Sequence, residues 1–485
     1  MSDYEGSFEM GMREGHIPPR IRIQKIILDN FKSIRHGEVS LNGGRNEVPD
    51  DIGADILGIY GQNGSGKTSV IEAIAILKKA MMGERIPNRY SECISKDSSF
   101  AKLSFEFSLL YNWWTDSSYT RTVTYSFKIE SANDDREENR YGIHINTTLY
   151  HTKVILFDES ISASGTFANG VQKKQDIITT TGKNYPIGPV RKIQSFVGKD
   201  KDAVNIELEV LKRTAHDNST SFLFMYDTRK LFFLHADYSE YYQILLELHN
   251  YACVYLLAID FRSSGIGATF SLPLNTRHRT LPVKLFERTK ISGEMYESLT
   301  KFVKSINTVL PSIIPDMALV LNYNLYESGE ITGYEVELLS KRGDTLIPLR
   351  DESAGVIKLI CTLSLIIEVF NESYVTVAID ELDAGIFEYL LGEILSGIDT
   401  YGKGQFIFTS HNLRPLEVLK KESIIFTTSN PNNRFIRLKG VGRTNNLRDL
   451  YFREILGNSQ DEQIYDAAKR QRMIAAFMKA GVDLD

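Results

Sequence analysis

The octapeptide GQNGSGKT at 61–68 constrains this chain more than any other stretch. It follows the apolar run ADILGIY and leads into SVIEAIAILKKAM, whose Ala, Ile and Leu residues fall on one side of a helix. A short buried strand therefore feeds a glycine-rich turn that opens a helix. In that setting Gly61, Gly64 and Gly66 let backbone N–H groups turn inward, and the helix N-terminus adds its dipole. The result is a cradle for phosphate. Lys67 is placed to reach β- and γ-phosphates, and the Thr68 hydroxyl to ligate Mg²⁺. Asn63, Ser65 and Ser69 complete the expected ATP-binding set.

A second stretch, TVAIDELDAG at 376–385, sets Asp380 beside Glu381 at the end of an apolar run, with Asp383 two residues on. Adjacent carboxylates repel unless a cation lies between them or water solvates them. A solvated strand end is the bland reading. The phosphate loop upstream favours the other one. Asp380 then holds Mg²⁺ through water, and the cation offsets the repulsion. Glu381 points elsewhere, towards the γ-phosphate, and orients or deprotonates the attacking water.

Two further pieces have bland readings when taken singly. In DESAGVIKL at 351–359, Ser353 is an N-cap candidate with Gly355 beside it; it reads as an ordinary helix cap or as a second anion site. The first site already holds one side of a nucleotide, so a second is most useful facing a nucleotide on another subunit. Lys358, just inside that helix, either reaches a phosphate or caps a surface. QFIFTSHN puts His411 just past a buried strand, where a neutral imidazole can donate to the γ-phosphate. The order of the pieces makes the case.

That order resembles the ABC-type ATPase heads of the RecF and SMC group. IILDNFKSI, Asn63 in the loop, ESAG, LDAG and TSHN all match, over roughly residues 21–160 and 317–440. The resemblance implies that two heads sandwich two ATP molecules, with Ser353 and Gly355 of one chain closing on the phosphate loop of the other. Asp383 would lie at the dimer seam, and hydrolysis would open the assembly. The chain departs from the family in several places. Its signature reads SAG rather than SGGQ. Gln172, Gln175 and Gln194 are unsupported candidates for the Q-loop glutamine. The middle segment is too short and aperiodic for SMC arms, and no zinc-hook cysteine pair is present.

Bulk properties fit this reading. The 485 residues are 42% hydrophobic, enough for a large core. A net charge of −6 gives no global attraction for nucleic acid. Cys93, Cys253 and Cys361 are widely spaced, which suggests reduced thiols in a cytoplasmic protein. No signal peptide and no apolar run of membrane-spanning length is expected.

The expected architecture is α/β: an ABC-type head with an antiparallel β subdomain and a mixed, partly helical insert, without a long coiled coil. Its parts are a flexible tail (1–20), a first head lobe (21–160), an insert or lid (161–316), a second lobe (317–440) and a helical tail (441–485). Strands are expected at 54–60, through a meander at 101–160, at 317–325, 333–340 and 345–349, and at 376–380 and 405–410. Helices are expected at 238–252, 294–308, from Ala354, at 385–397 and at 459–482. Within 171–201, seven basic side chains (Lys173, Lys174, Lys183, Arg191, Lys192, Lys199, Lys201) face two acids. That segment reads either as a nucleic-acid contact or as a solvated loop.

The functional expectation is ATP hydrolysis with Mg²⁺ in a homodimer or higher oligomer. Compact ATPases of this kind resemble those of bacterial anti-phage defence, where a co-encoded effector, a nuclease or toxin, acts. A RecF-like DNA-repair ATPase and a nucleotide-gated scaffold with little turnover are the competing readings.

Overall fold

The computed structural model describes residues 17–41, 53–111, 118–133, 152–181, 185–198, 201–235, 239–259, 274–276, 279–281, 288–328, 331–439, 446–457, 460–464 and 470–482. Residues 1–16 of the expected tail (1–20), residues 112–117 and 134–151 of the expected meander, and Lys183 and Lys199 lie outside these.

The first sheet is antiparallel. It contains β1 (Arg20–Phe31), β2 (Ile34–Ser40), β4 (Phe100–Tyr111), β5 (Tyr119–Asn133), β6 (Thr152–Phe167) and β7 (Gly170–Thr179), in the order β2-β1-β4-β5-β6-β7. Along β5 the residues alternate between buried and half-buried, as expected for a sheet with one face on the core. Residue 161, the expected start of the insert, falls inside β6, and β7 continues the same sheet.

The second sheet holds β3 (Asp55–Tyr60), β8 (Leu256–Ile259), β15 (Thr376–Ile379), β16 (Gln405–Thr409), β17 (Ile424–Thr427) and β18 (Phe435–Ile436), ordered β18-β17-β3-β16-β15-β8. β17, β3, β16, β15 and β8 run parallel. Their sequences are continuous apolar runs because both faces are covered. Leu57, Ile59, Ala378, Ile407 and Ile425 face one core, with the helix Lys67–Met82 and the first sheet. Ile56, Val377, Ile379, Phe406, Phe408 and Phe426 face the other, with the helix Ala354–Asn371. Each such large side chain contributes about 1.5–3 kcal/mol when fully buried. Gly58 is needed in β3 because a Cβ there would meet Phe408 at 2.9 Å.

One amide joins the two sheets. Gln405 is fully buried. Its side chain accepts from Ile23 N at 3.0 Å and donates to Ile23 O at 2.9 Å, pairing with the edge of β1 as a strand would. It also donates to Asp55 at 2.6 Å and accepts from Thr376 at 3.1 Å. Nearby, Arg22 donates to the carbonyls of Val375 and Lys403, and burial lowers its guanidinium pKa to about 10.

A third, smaller sheet contains β11 (Thr289–Ile291), β12 (Met317–Ser328), β13 (Ile331–Arg342) and β14 (Thr345–Pro348). β12 and β13 pair from Met317↔Arg342 to Ser328↔Ile331, and β11 and β14 pair with β13. The helix Gly293–Ile313 packs on it, capped by Ser292, which accepts from Met295 N. A short hairpin, β9 (Leu274–Thr276) with β10 (Arg279–Leu281), completes the strands.

Several boundaries move. The helix expected at 238–252 is Glu240–Asn250, continued by a π-helical stretch at Tyr251–Tyr255 that leads into β8, which edges the central sheet. The helix expected at 385–397 is Glu388–Tyr401. Arg470–Val482 is helical, as is Leu447–Gly457, whereas 460–464 is not. Ala354–Asn371 corrects the expectation that no stretch is long and apolar enough to cross a membrane. By length and composition it is, although more than half of it is buried inside the protein.

Candidate active site

The loop 61–66 needs its glycines. Gly61, Gly64 and Gly66 have φ of +148°, +76° and +98°, values that side chains with a Cβ rarely adopt. A Cβ on Gly61 would also fall 1.8 Å from Thr427 Oγ1. Thr427 supports the loop from β17: its hydroxyl donates to that of Ser65 over 2.5 Å and lies 3.2 Å from Tyr60 O. Ser65 in turn donates to Gln62 O at 2.6 Å. Lys67 is buried, and its ammonium donates to the carbonyls of Gly61 at 2.9 Å and Gln62 at 3.1 Å, which holds it over the loop.

Opposite the loop stand the ends of β15 and β16. Asp380 is 1% exposed. Its Oδ1 accepts from Thr68 Oγ1 at 3.2 Å and from Thr409 Oγ1 at 2.6 Å. The Thr409 hydroxyl also accepts from Glu381 N at 2.7 Å. Glu381 has φ +50°, an uncommon conformation for a residue with a side chain. The Lys358 ammonium donates to Glu381 O at 2.5 Å, so this lysine reaches the end of β15 and not open solvent. Burial lowers the Lys358 pKa, opposed by Glu381, Asp383 and Asp380.

One oxygen of Asp383 is bonded within its own chain. Its Oδ2 accepts from His411 N at 3.1 Å and Asn412 N at 3.0 Å, fixing the turn that presents the imidazole. Burial and then the Lys67 charge lower the His411 pKa, against the pull of Asp383, Glu381 and Asp380. The neutral imidazole is thus favoured.

A cavity of about 510 Å³ gathers Asn63, Gly64, Gly66, Lys67, Thr68, Ser69, Asp380, Glu381 and His411. Lys32, Ser33 and Thr409 line it as well. Sequence reasoning gave these three no role, although they lie in the NFKSI and TSHN stretches. Lys32 N donates to Cys93 O at 2.7 Å, and its ammonium pairs with Glu72. Gln172, Gln175 and Gln194 do not line the cavity; Gln175 donates to Gln172 on β7.

Ser353 and Gly355 do not line it either. Ser353 is exposed and caps the helix Ala354–Asn371, accepting from Val356 N at 3.3 Å. Gly385, with φ +83°, backs onto this cap: a Cβ there would lie 2.6 Å from Gly355 Cα. The two turns touch backbone to backbone.

Among the described basic side chains of 171–201, Lys192 and Lys174 are tied down. Lys192 donates to Asp176 O at 2.8 Å, and Lys174 to Thr124 at 2.8 Å.

A divalent cation has a fitting donor set here. The Thr68 hydroxyl and the buried Asp380 carboxylate converge to within 3.2 Å at the floor of the cavity, and both are hard oxygen donors of the kind Mg²⁺ takes. Among the described residues no cluster of three or more His, Cys, Asp or Glu side chains forms an all-protein metal cage.

Residues 25–219 match a family described as an AAA domain. Comparison with curated proteins gives no match. Among solved structures, the Smc head domain with an extended coiled coil bound to the C-terminal domain of ScpA, from Pyrococcus furiosus, is 13% identical with a TM-score of 0.35, covering 86% of this chain and 96% of that one. The recombination mediator protein RecF with ATP is 14% identical with a TM-score of 0.32, over 82% and 94%. The SMC head domain from Thermotoga maritima is 13% identical with a TM-score of 0.30, over 86% and 99%.

Proposed function

We propose that this chain, an ABC-type P-loop ATPase of the RecF and SMC-like group, hydrolyses ATP at composite sites formed by two copies and thereby controls a partner effector. The observation that carries the ATPase reading is the convergence of Lys67, Thr68, Asp380, Glu381 and His411 on one cavity. In this reading the amides of 61–68 and the Lys67 ammonium bind the triphosphate. Thr68 and Asp380 would hold Mg²⁺, which would supply neutralisation of the phosphate charge. Glu381 takes a proton from the attacking water, and His411 donates to the γ-phosphate. Thr409 and Lys358 fix the backbone that aims Glu381.

Two copies enter because Ser353 and Gly355 stand outside their own cavity while Ser353 caps an exposed helix N-terminus, a geometry suited to a phosphate held elsewhere. The effector reading, in bacterial anti-phage defence, is supported by resemblance to compact ATPases of that kind. The helix Arg470–Val482 also presents Met473, Phe477 and Met478 at 48%, 73% and 70% exposure, an apolar stripe of the kind that docks into a partner's groove.

The test is hydrolysis rate and particle mass for the wild type, Lys67→Ala and Glu381→Gln. Loss of a general base costs about 10²–10⁴ in rate. Glu381→Gln is expected to bind ATP, turn over at least about 100-fold more slowly, and accumulate as a dimer. Lys67→Ala is expected to lose ATP binding. Wild-type turnover in Glu381→Gln overturns the assignment of the base. Salt-dependent binding of duplex DNA by the isolated chain would favour the DNA-repair reading instead.

A further inference from the structure

The turn that carries Ser353 is held from two directions. On one side Gly355 backs onto Gly385. On the other, the preceding residue, Glu352, reaches into the third sheet with a side chain only 7% exposed. Ser340 donates to its Oε1 at 2.6 Å. Arg342 donates from Nε to Oε1 at 3.2 Å and from Nη2 to Oε2 at 3.1 Å, a two-pronged contact that fixes the direction of the carboxylate as well as its position. Ser340 and Arg342 stand at the base of the β12–β13 hairpin, where β13 pairs with both β12 and β14. The neighbouring cation, Arg350, is engaged with Glu337 at 3.2 Å and Asp351 at 3.9 Å, so Arg342 is the one directed at Glu352.

A helix cap does not require this anchorage. The Ser353 hydroxyl satisfies Val356 N by itself. What the anchorage adds is a fixed location for an exposed hydroxyl, which matters if that hydroxyl meets a ligand from outside its own chain.

We propose that Arg342 is a positioning residue of the composite site. Acting through Glu352, it sets where Ser353 stands and so how well one copy closes on the triphosphate held by another. This rests on the two-copy reading above.

The experiment is steady-state ATP hydrolysis by the full chain for the wild type, Arg342→Ala, Arg342→Lys and Ser353→Ala, with a thermal melt of each. Losing a hydrogen bond to a charged group typically costs a factor of about ten or more. Arg342→Ala is expected to lower kcat about tenfold, with KM for ATP within about twofold because the loop 61–68 is untouched. Arg342→Lys keeps the charge without the fork and is expected to recover part of the loss. Wild-type kcat in Arg342→Ala beside a reduced kcat in Ser353→Ala overturns the positioning role and leaves the two-copy reading standing. Wild-type kcat in both variants overturns the two-copy reading and this inference with it. If Arg342→Ala melts early, Glu352→Gln removes the charge at constant volume and carries the same expectation; wild-type kcat there overturns the proposal.

Discussion

Thr409 donates its hydroxyl proton to Asp380 over 2.6 Å while its oxygen accepts from the backbone N–H of Glu381 at 2.7 Å. One side chain thus orients the proposed metal-holding carboxylate and the backbone of the proposed base.

Thr409→Val keeps the shape and removes both contacts. Two hydrogen bonds, one of them to a carboxylate, are together worth about 2–4 kcal/mol. Turnover is expected to fall by roughly 30-fold or more, and the melting temperature to drop by a few degrees because the same two bonds also stabilise the fold. Steady-state kinetics beside a melt would check it. An unchanged kcat would remove Thr409 from the site.

Gly385→Ala introduces a Cβ 2.6 Å from Gly355 Cα at a φ of +83°. The cap of Ala354–Asn371 has to shift, and the left-handed backbone adds about 1 kcal/mol of strain or more. The expected outcome is ATP binding at near wild-type affinity with sharply reduced turnover. Nucleotide titration by fluorescence, set against kcat, separates the two. Equal loss of both would mean that the strain spreads to the loop 61–68.

His249 gives a pH signature away from the site. Burial, reinforced by Arg229, lowers its pKa to about 4, and its Nδ1–H donates to Met81 O at 2.8 Å. The folded protein favours the neutral ring, so its stabilising contribution is complete above the unfolded pKa near 6.5. It is lost as pH falls from there to about 4, a total of about 3 kcal/mol. His249→Asn keeps a donor and does not titrate. Urea unfolding across pH 4–7 should therefore show a shallower loss in the variant. Parallel curves would contradict the assignment.

The nucleotide-binding pieces were legible because each is local: a strand, a turn and a helix within a few residues. Lys67, Thr68, Asp380, Glu381 and His411 were reachable that way. Thr427 was not, because it supports Ser65 across 362 positions of sequence. β8 was hidden because LLAI continues the apolar run of the helix Glu240–Asn250, and the π-helical stretch Tyr251–Tyr255 carries the helix up to the first residue of the strand. β7 reads as a charged loop because VQKKQ lies on the last strand of its sheet, where water covers the side chains. The helix after Asp383 starts at Glu388 and not at 385 because Gly385 is left-handed. Three strands of the third sheet were visible one by one and β11 was not; nor was the sheet's grip on Glu352, since a Glu before a Ser carries no signal of a partner ten residues back.

The Gln405 amide has a mechanical consequence. A group that completes the edge of one sheet while belonging to another leaves no seam along which the two can slide. The β1 lobe and the strand behind the cavity form one anvil. In the proposed cycle, a stroke driven by cleaving the triphosphate would be taken up on the far side, by the segment that carries Ser353 and its hairpin.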